Sequence, residues 1–229
     1  MVVRLSSFQV LGMTQPGELL LPESCFVTGT DTGVGKTFVV SRIIAALREE
    51  GVDAVGMKPI CCGDRNDSEM LSRASGSAVS INDINPVWLR TPAAPYTAAM
   101  IEGRTIDLAL IRECFARLRS SHERIVVEGV GGWRVPIARD YFVSDLARDF
   151  ALPVVVVVAN RLGAINHTLL TVESIRGSGL VCSGIILNHL APASDDVAAT
   201  TNRGIIEEVA EAPILAEVSF SPEGRSISY

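Results

Sequence analysis

The longest unbroken apolar run in the chain sits inside PVVVVVAN, residues 153–160. It is far too short to span a bilayer. It also lacks the alternating polar positions of a strand with one wet face, so it reads as a strand buried on both sides. SCFVT (24–28), DAVGMKP (53–59), RIVVEG (124–129), CSGIILN (182–188) and PILAEV (213–218) read as further strands. Helical patterns lie between them. Residues 36–50 carry Val39, Val40, Ile43, Ile44 and Leu47 as one stripe, stopped by Gly51. Others fall at about 106–119, 143–151, 165–177 and 202–210. Doubly buried strands alternating with helices predict an α/β fold, a parallel β-sheet flanked by helices, in one domain. No internal repeat or low-complexity linker divides it, so residues 23–229 read as that domain. Residues 1–22 lack a charged-then-apolar leader pattern and read as a poorly defined N-terminal extension, with Met13 as an alternative start.

In such sheets ligands bind beyond the carboxyl ends of the strands, so the residues just past each strand matter most. The first strand runs into TGTDTGVGKT, residues 28–37. The common phosphate-binding loop has glycine, four residues, then Gly-Lys-Ser/Thr. Here that spacing lands on Thr30, and the nearest glycine is Gly29, so the loop is one residue longer. Gly29, Gly33 and Gly35 let backbone N–H groups turn onto an anion, and the helix starting at Lys36 adds its positive end. Lys36 would neutralise phosphate charge, and Thr37 would offer its hydroxyl to Mg²⁺. The fold is therefore P-loop NTPase-like.

Of 20 basic residues only two are lysines, Lys36 and Lys58. Lysine is a compact point charge, arginine a flat fork. One lysine lies in the loop and the other ends the second strand, so both are candidate site residues. Asp67 opens a short helix, either as a first-turn acid or as a metal ligand. Glu128 ends a buried strand, where a carboxylate is costly unless paired or used with a metal. Gly129, Gly131 and Gly132 come next and allow close backbone approach; Trp133 reads as packing or a cleft wall. Cys61 and Cys62 read as small apolar fillers rather than nucleophiles. Gly163 and Asn166 precede a helix whose first N–H groups could hold a carboxylate. His167 reads as a structural hydrogen-bonder rather than a base. Asn188, with His189 next to it, offers donor and acceptor to an adenine edge.

VTGTDTGVGKT, MKPICCG, RND, VEGVGGW, RLGAINHTLLT and GIILNHL occur in this order, from about Ser24 to about Val218. Together they resemble the dethiobiotin synthetase family, in which the longer loop with threonine at position 30 is itself a mark. The resemblance implies ATP- and Mg²⁺-dependent ring closure of a 7,8-diaminononanoate with CO₂ or bicarbonate. One amine becomes a carbamate, ATP phosphorylates it, and the second amine attacks to give a cyclic urea, ADP and phosphate. It further implies that Thr32, Gly33, Val34, Gly35, Lys36 and Thr37 hold the triphosphate, with Lys36 on the transferred phosphate. Thr37, Asp67 and Glu128 match the Mg²⁺ positions and Lys58 the catalytic lysine near the carbamate. Asn188, with His189 beside it, matches the adenine-reading position, and Gly131 lies on the nucleotide side. Leu162, Gly163, Ala164, Ile165 and Asn166 match the segment that binds the substrate carboxylate and reaches into a partner subunit, which implies a homodimer with sites at the interface.

Some positions depart from the family pattern. Cys62 stands where a serine contacts the substrate, and a thiol hydrogen-bonds more weakly. LAEVSF replaces the usual ending in Ile-Pro-Trp, so Ser219 and Phe220 alter the base-binding wall, and the chain ends soon after, at Tyr229. Gly33 replaces an acid found in some members. Three other readings compete. Partitioning or cell-division-site ATPases carry a further lysine aligned with Asp31, where this chain has an acid. An amidating synthetase would need a glutamine-hydrolysing domain, for which 229 residues leave no room. A nucleotide-binding homologue without catalysis is the third. A net charge of −6 with scattered arginines argues against nucleic acid and membrane partners. Five cysteines without metal or CxxC spacing suit a reducing, cytoplasmic setting.

Overall fold

The computed structural model describes residues 2–5, 19–76, 78–192 and 196–220. Six parallel strands make the central sheet: β3 (Cys25–Gly29), β4 (Ala54–Met57), β7 (Arg124–Gly132), β10 (Val154–Ala159), β11 (Cys182–Asn188) and β12 (Ile214–Val218). Their spatial order is β12-β11-β10-β3-β7-β4, and every adjacent pair is parallel. The chain leaves β3 toward one edge and leaves β7 toward the other. A crevice therefore opens at the carboxyl ends of β3 and β7, the switch point where such sheets bind ligands.

Both faces of the sheet are dry. Phe26, Val127, Val154, Val156 and Val158 point to one core with Ile111, Leu146 and Ile175. Val27, Val126, Val155 and Val157 point to the other, with Val39, Val40, Ile43 and Leu71. The alternation is the period of two of a strand, and the valine run is buried throughout because both sets of side chains find a helix. The covering helices are α1 (Lys36–Glu49), α2 (Asn66–Ala74), α5 (Leu108–Ser121), α6 (Val143–Phe150), α7 (Ala164–Gly177) and α8 (Val197–Val209).

Several boundaries differ from expectation, each for a local reason. The helix expected from 202 starts at Val197, because the Asp196 carboxylate caps it by accepting from the Ala198 N–H at 2.9 Å. The helix expected from 106 starts at Leu108, capped by Asp107 on the Leu110 N–H at 2.9 Å. Residues 60–101 hold elements that the periodicity misses because they are short: β5 (Ile60–Cys62) pairs in parallel with β6 (Val87–Leu89), and α3 (Ile81–Ile84) and α4 (Pro95–Ile101) flank them. A small antiparallel pair, β8 (Pro136–Ala138) and β9 (Tyr141–Phe142), comes after β7. In the N-terminal extension β1 (Val2–Leu5) pairs antiparallel with β2 (Leu19–Pro22), which packs beside β12. Met13 and the C-terminal end at Tyr229 lie outside the described residues. No helix among the described residues is long and apolar enough to cross a membrane.

Candidate active site

The loop after β3 closes because two glycines sit in left-handed conformations, Gly33 at φ +74° and Gly35 at φ +87°. Gly35 caps α1, and Lys36 is the first helical residue. Lys36 folds back over the loop, and its Nζ donates to the Asp31 carbonyl at 3.0 Å. The Asp31 carboxylate turns onto the same loop and accepts from the Thr32 N–H at 2.7 Å. Across the crevice Gly131, at φ +63°, lets the end of β7 pass close to Thr32. A methyl there would lie 2.8 Å from Val135 and 3.4 Å from the Thr32 hydroxyl.

Lys58 is the centre of the polar cluster. Its backbone is fixed from both sides: its N–H donates to Ile84 at 2.8 Å, and its carbonyl accepts from the Asn85 side-chain amide at 2.9 Å. Arg65 in turn donates to the Asn85 side chain at 2.8 Å. The Lys58 Nζ then donates to Glu128 Oε1 at 2.5 Å and to Asp67 Oδ2 at 2.8 Å. Thr37 Oγ1 donates to the same Glu128 oxygen at 2.8 Å. Glu128 is 0% exposed and Lys58 4%.

Burial pulls the Glu128 carboxyl above the usual carboxylate range, and the Lys58 ammonium against it restrains that rise. Burial alone would lower Lys58, but Glu128 and Asp67 outweigh it and hold the ammonium protonated. Asp67 resists burial through Lys58 and stays below its ordinary value. Lys36 drops to about 8, first by burial and then by the like charge of Lys58. The Cys62 thiol is pushed up to about 11, mainly by burial, and Cys61 rises for the same reason. Cys61 contacts the Ser68 hydroxyl at 3.1 Å. Neither cysteine is poised as a thiolate.

These groups share a cavity of about 640 Å³, a size suited to a small-molecule site. Thr32, Gly33, Gly35, Lys36, Thr37, Lys58, Cys62, Asp67, Glu128 and Gly131 all line it. Val34 is 1% exposed beneath the loop. Sequence reading missed Asp64, the Pro92–Pro95 segment, Val130 and Val135 in the lining. The available signal was Pro95 at the first turn of α4, a helix start carried by a Pro-Ala-Ala-Pro stretch.

Other expected site residues lie elsewhere. Leu162, Gly163, Ala164, Ile165 and Asn166 are not in the lining. Asn166 does not precede its helix: α7 already begins at Ala164, because Gly163 at φ +90° takes the cap position. His167 and Trp133 are also outside the lining; Trp133 is buried in the core. Asn188 is buried, and its Nδ2 donates to the Val34 carbonyl at 2.9 Å. His189 contacts Glu217 Oε1 at 2.6 Å and the Asn160 amide at 3.2 Å, within a polar cluster past β10, β11 and β12.

A divalent cation suits the donor set. Glu128 Oε2 is buried with no hydrogen-bond partner, and Thr37 and Asp67 bring further hard oxygens to the same cavity. No group of three or more His, Cys, Asp or Glu among the described residues could hold a metal. Two carboxylates and a hydroxyl would therefore share a cation with phosphate oxygens, as Mg²⁺ usually binds.

The family model described as "AAA domain" matches residues 23–225. The ATP-dependent dethiobiotin synthetase BioD of Akkermansia muciniphila is 47% identical over 192 residues, covering 84% of this chain and 90% of its own. The protein of the same name from Aromatoleum aromaticum is 42% identical over 205 residues, covering 86% and 90%. Among solved structures, the septum site-determining protein MinD of Pyrococcus horikoshii, complexed with Mg-ADP, has a TM-score of 0.55 at 16% identity. That match covers 88% of this chain and 84% of MinD. At that identity the likeness concerns the fold alone.

Proposed function

Because this chain belongs to the ATP-dependent dethiobiotin synthetase family, we propose that its cavity brings a nucleotide γ-phosphate against a diamine carbamate beside Lys58. The enzyme is an ATP-dependent cyclo-ligase of biotin biosynthesis. It closes 7,8-diaminononanoate with CO₂ into the cyclic urea dethiobiotin, giving ADP and phosphate. The carbamate oxygen attacks the γ-phosphorus and ADP leaves. The second amine then attacks the carbamoyl carbon and expels phosphate.

The observation that carries the site assignment is the meeting of Lys58 with Asp67 and Glu128 in the cavity that also holds the loop lysine, Lys36. In this reading the N–H groups from Thr32 to Thr37 bind the triphosphate, and Lys36 offsets charge on the transferred group. Lys58 neutralises the carbamate oxygen as it attacks. Cys62, half-buried on the cavity wall, packs against the diamine chain. Thr37, Asp67 and Glu128 would hold Mg²⁺, which supplies charge neutralisation at the phosphates when bound. The segment 162–166 would receive the carboxylate end of a substrate bound mainly by a second protomer. That assignment is supported by the 85% exposure of Leu162, and it makes the enzyme a homodimer. A reducing cytoplasm suits its five free cysteines.

The test is ADP release with the diamine, bicarbonate, ATP and Mg²⁺. Turnover well above the no-diamine control is expected. A rate equal to that control would sink the synthetase reading.

A further inference from the structure

Asn188 does something that an amide kept only for a nucleobase would not need to do. It ends β11, where both neighbouring strands fix its backbone. Ala159 of β10 and Val218 of β12 lie opposite it, and its carbonyl accepts from the Asn160 N–H at 2.9 Å. From that rigid platform its side chain, 4% exposed, donates from Nδ2 to the Val34 carbonyl, 154 residues earlier in the chain, at 2.9 Å.

The Val34 carbonyl belongs to the same peptide unit as the Gly35 N–H. A trans peptide is planar, and its C=O and N–H point in opposite directions. A donor that holds the carbonyl inward therefore turns the Gly35 N–H outward, and Gly35 lines the cavity at the start of α1. Gly35 is also the residue that admits the amide. A methyl on Gly35 would sit 2.1 Å from Asn188 Nδ2, with the backbone at φ +87°. The neighbouring Gly33 would meet nothing within 4 Å. The crowding is thus specific to the Asn188 contact.

We propose that Asn188 is a positioning residue for phosphate binding: it locks the Val34–Gly35 peptide so that the Gly35 N–H is presented to a phosphate oxygen of the nucleotide. The inference rests on reading residues 28–37 as the phosphate loop. One Nδ2 hydrogen engages the loop. Any contact of Oδ1 or the second hydrogen with a base is additional and is separated by the test.

The test uses a ligand with a polyphosphate but no base. Binding of Mg-tripolyphosphate and of MgATP is measured by calorimetry on the full-length protein and on Asn188→Leu and Asn188→Ala. Leu keeps the branched outline of the side chain without its hydrogen bond, Ala removes both, and the two variants guard against one failing to fold. The expected result is tripolyphosphate binding weakened roughly tenfold in either folded variant, the effect of one hydrogen bond to a site-forming group. KM for ATP rises with it, and the preference for ATP over GTP changes less than the tripolyphosphate affinity. Tripolyphosphate affinity equal to that of the unsubstituted protein, with ATP-over-GTP preference lost, would overturn the proposal and leave Asn188 as a base reader only. If the unsubstituted protein binds neither tripolyphosphate nor ATP, the phosphate-loop reading itself fails. A measurement without substitution stands beside these. The Asn188 side-chain amide protons should remain protected from exchange when tripolyphosphate binds; their release on binding would also overturn the proposal.

Discussion

Lys58 sits in a slot sized for an ammonium, with Glu128 at 2.5 Å on one side and Asp67 at 2.8 Å on the other. A guanidinium is planar and wider, and it cannot put a single charge at that point without moving both acids. We expect Lys58→Arg to cut kcat by at least about a hundredfold, the scale for losing a positioned charge at a reacting oxygen. KM for ATP should change only a few-fold; near-normal kcat would count against the role given to Lys58. This residue was legible in the sequence because the chain uses arginine almost everywhere else. Its partners were legible only in part. The sequence puts Glu128 near the end of a buried strand, whereas β7 runs on to Gly132; its pairing with Lys58 spans 70 residues, and no local pattern encodes a contact of that separation. Cys62 and Asn188 show the same limit. Sequence chemistry named them, yet the bond from Asn188 to the loop depends on which strands lie side by side.

At the scale of elements, the two loop glycines separate strain from collision. Both have positive φ, which costs a side-chain-bearing residue about 1–2 kcal/mol. Gly33→Ala should therefore weaken ATP binding by roughly thirtyfold at most. Gly35→Ala adds a methyl 2.1 Å from the Asn188 amide, and we expect a loss greater than about a hundredfold, because a packed site cannot absorb that overlap. Equal losses in the two variants would mean that the crowding at Gly35 relaxes away. A second element-scale tie joins α5, β9 and α6. Asp149 Oδ2 accepts from Arg112 Nη2 at 2.5 Å and from the Tyr141 hydroxyl at 2.6 Å. Burial opposes its charge, but these donors win and hold Asp149 below its ordinary value. A carboxylate with a depressed folded pKa contributes stability above its unfolded pKa, about 3.9, and loses it as pH falls through the folded value. Asp149→Asn should lower Tm by about 3 °C at pH 7, with the gap closing below about pH 4. A gap of the same size at pH 3 would show that charge plays no part. None of this tie was visible in the sequence, since β8 and β9 are too short to show periodicity.

For the molecule as a whole, the doubly buried strands and intervening helices announced a parallel sheet, and the long stripe of α1 fixed the strand–loop–helix unit at its centre. Strand order was not legible, because nothing local says that β7 inserts between β3 and β4. That insertion makes the crevice: it sets Glu128 on β7 beside the loop after β3 and brings Lys58 in from the end of β4. The site is thus a property of topology acting on residues that sequence could name but not assemble. The central claim is that ATP is spent on a carbamate oxygen rather than on water. It is tested by running the reaction briefly with ¹³C,¹⁸O-bicarbonate in ordinary water and analysing both products by mass spectrometry. The account predicts ¹³C in the urea carbonyl of the ring and ¹⁸O carried from bicarbonate into the released phosphate. Phosphate without ¹⁸O, or ADP formed with no labelled ring, would contradict it.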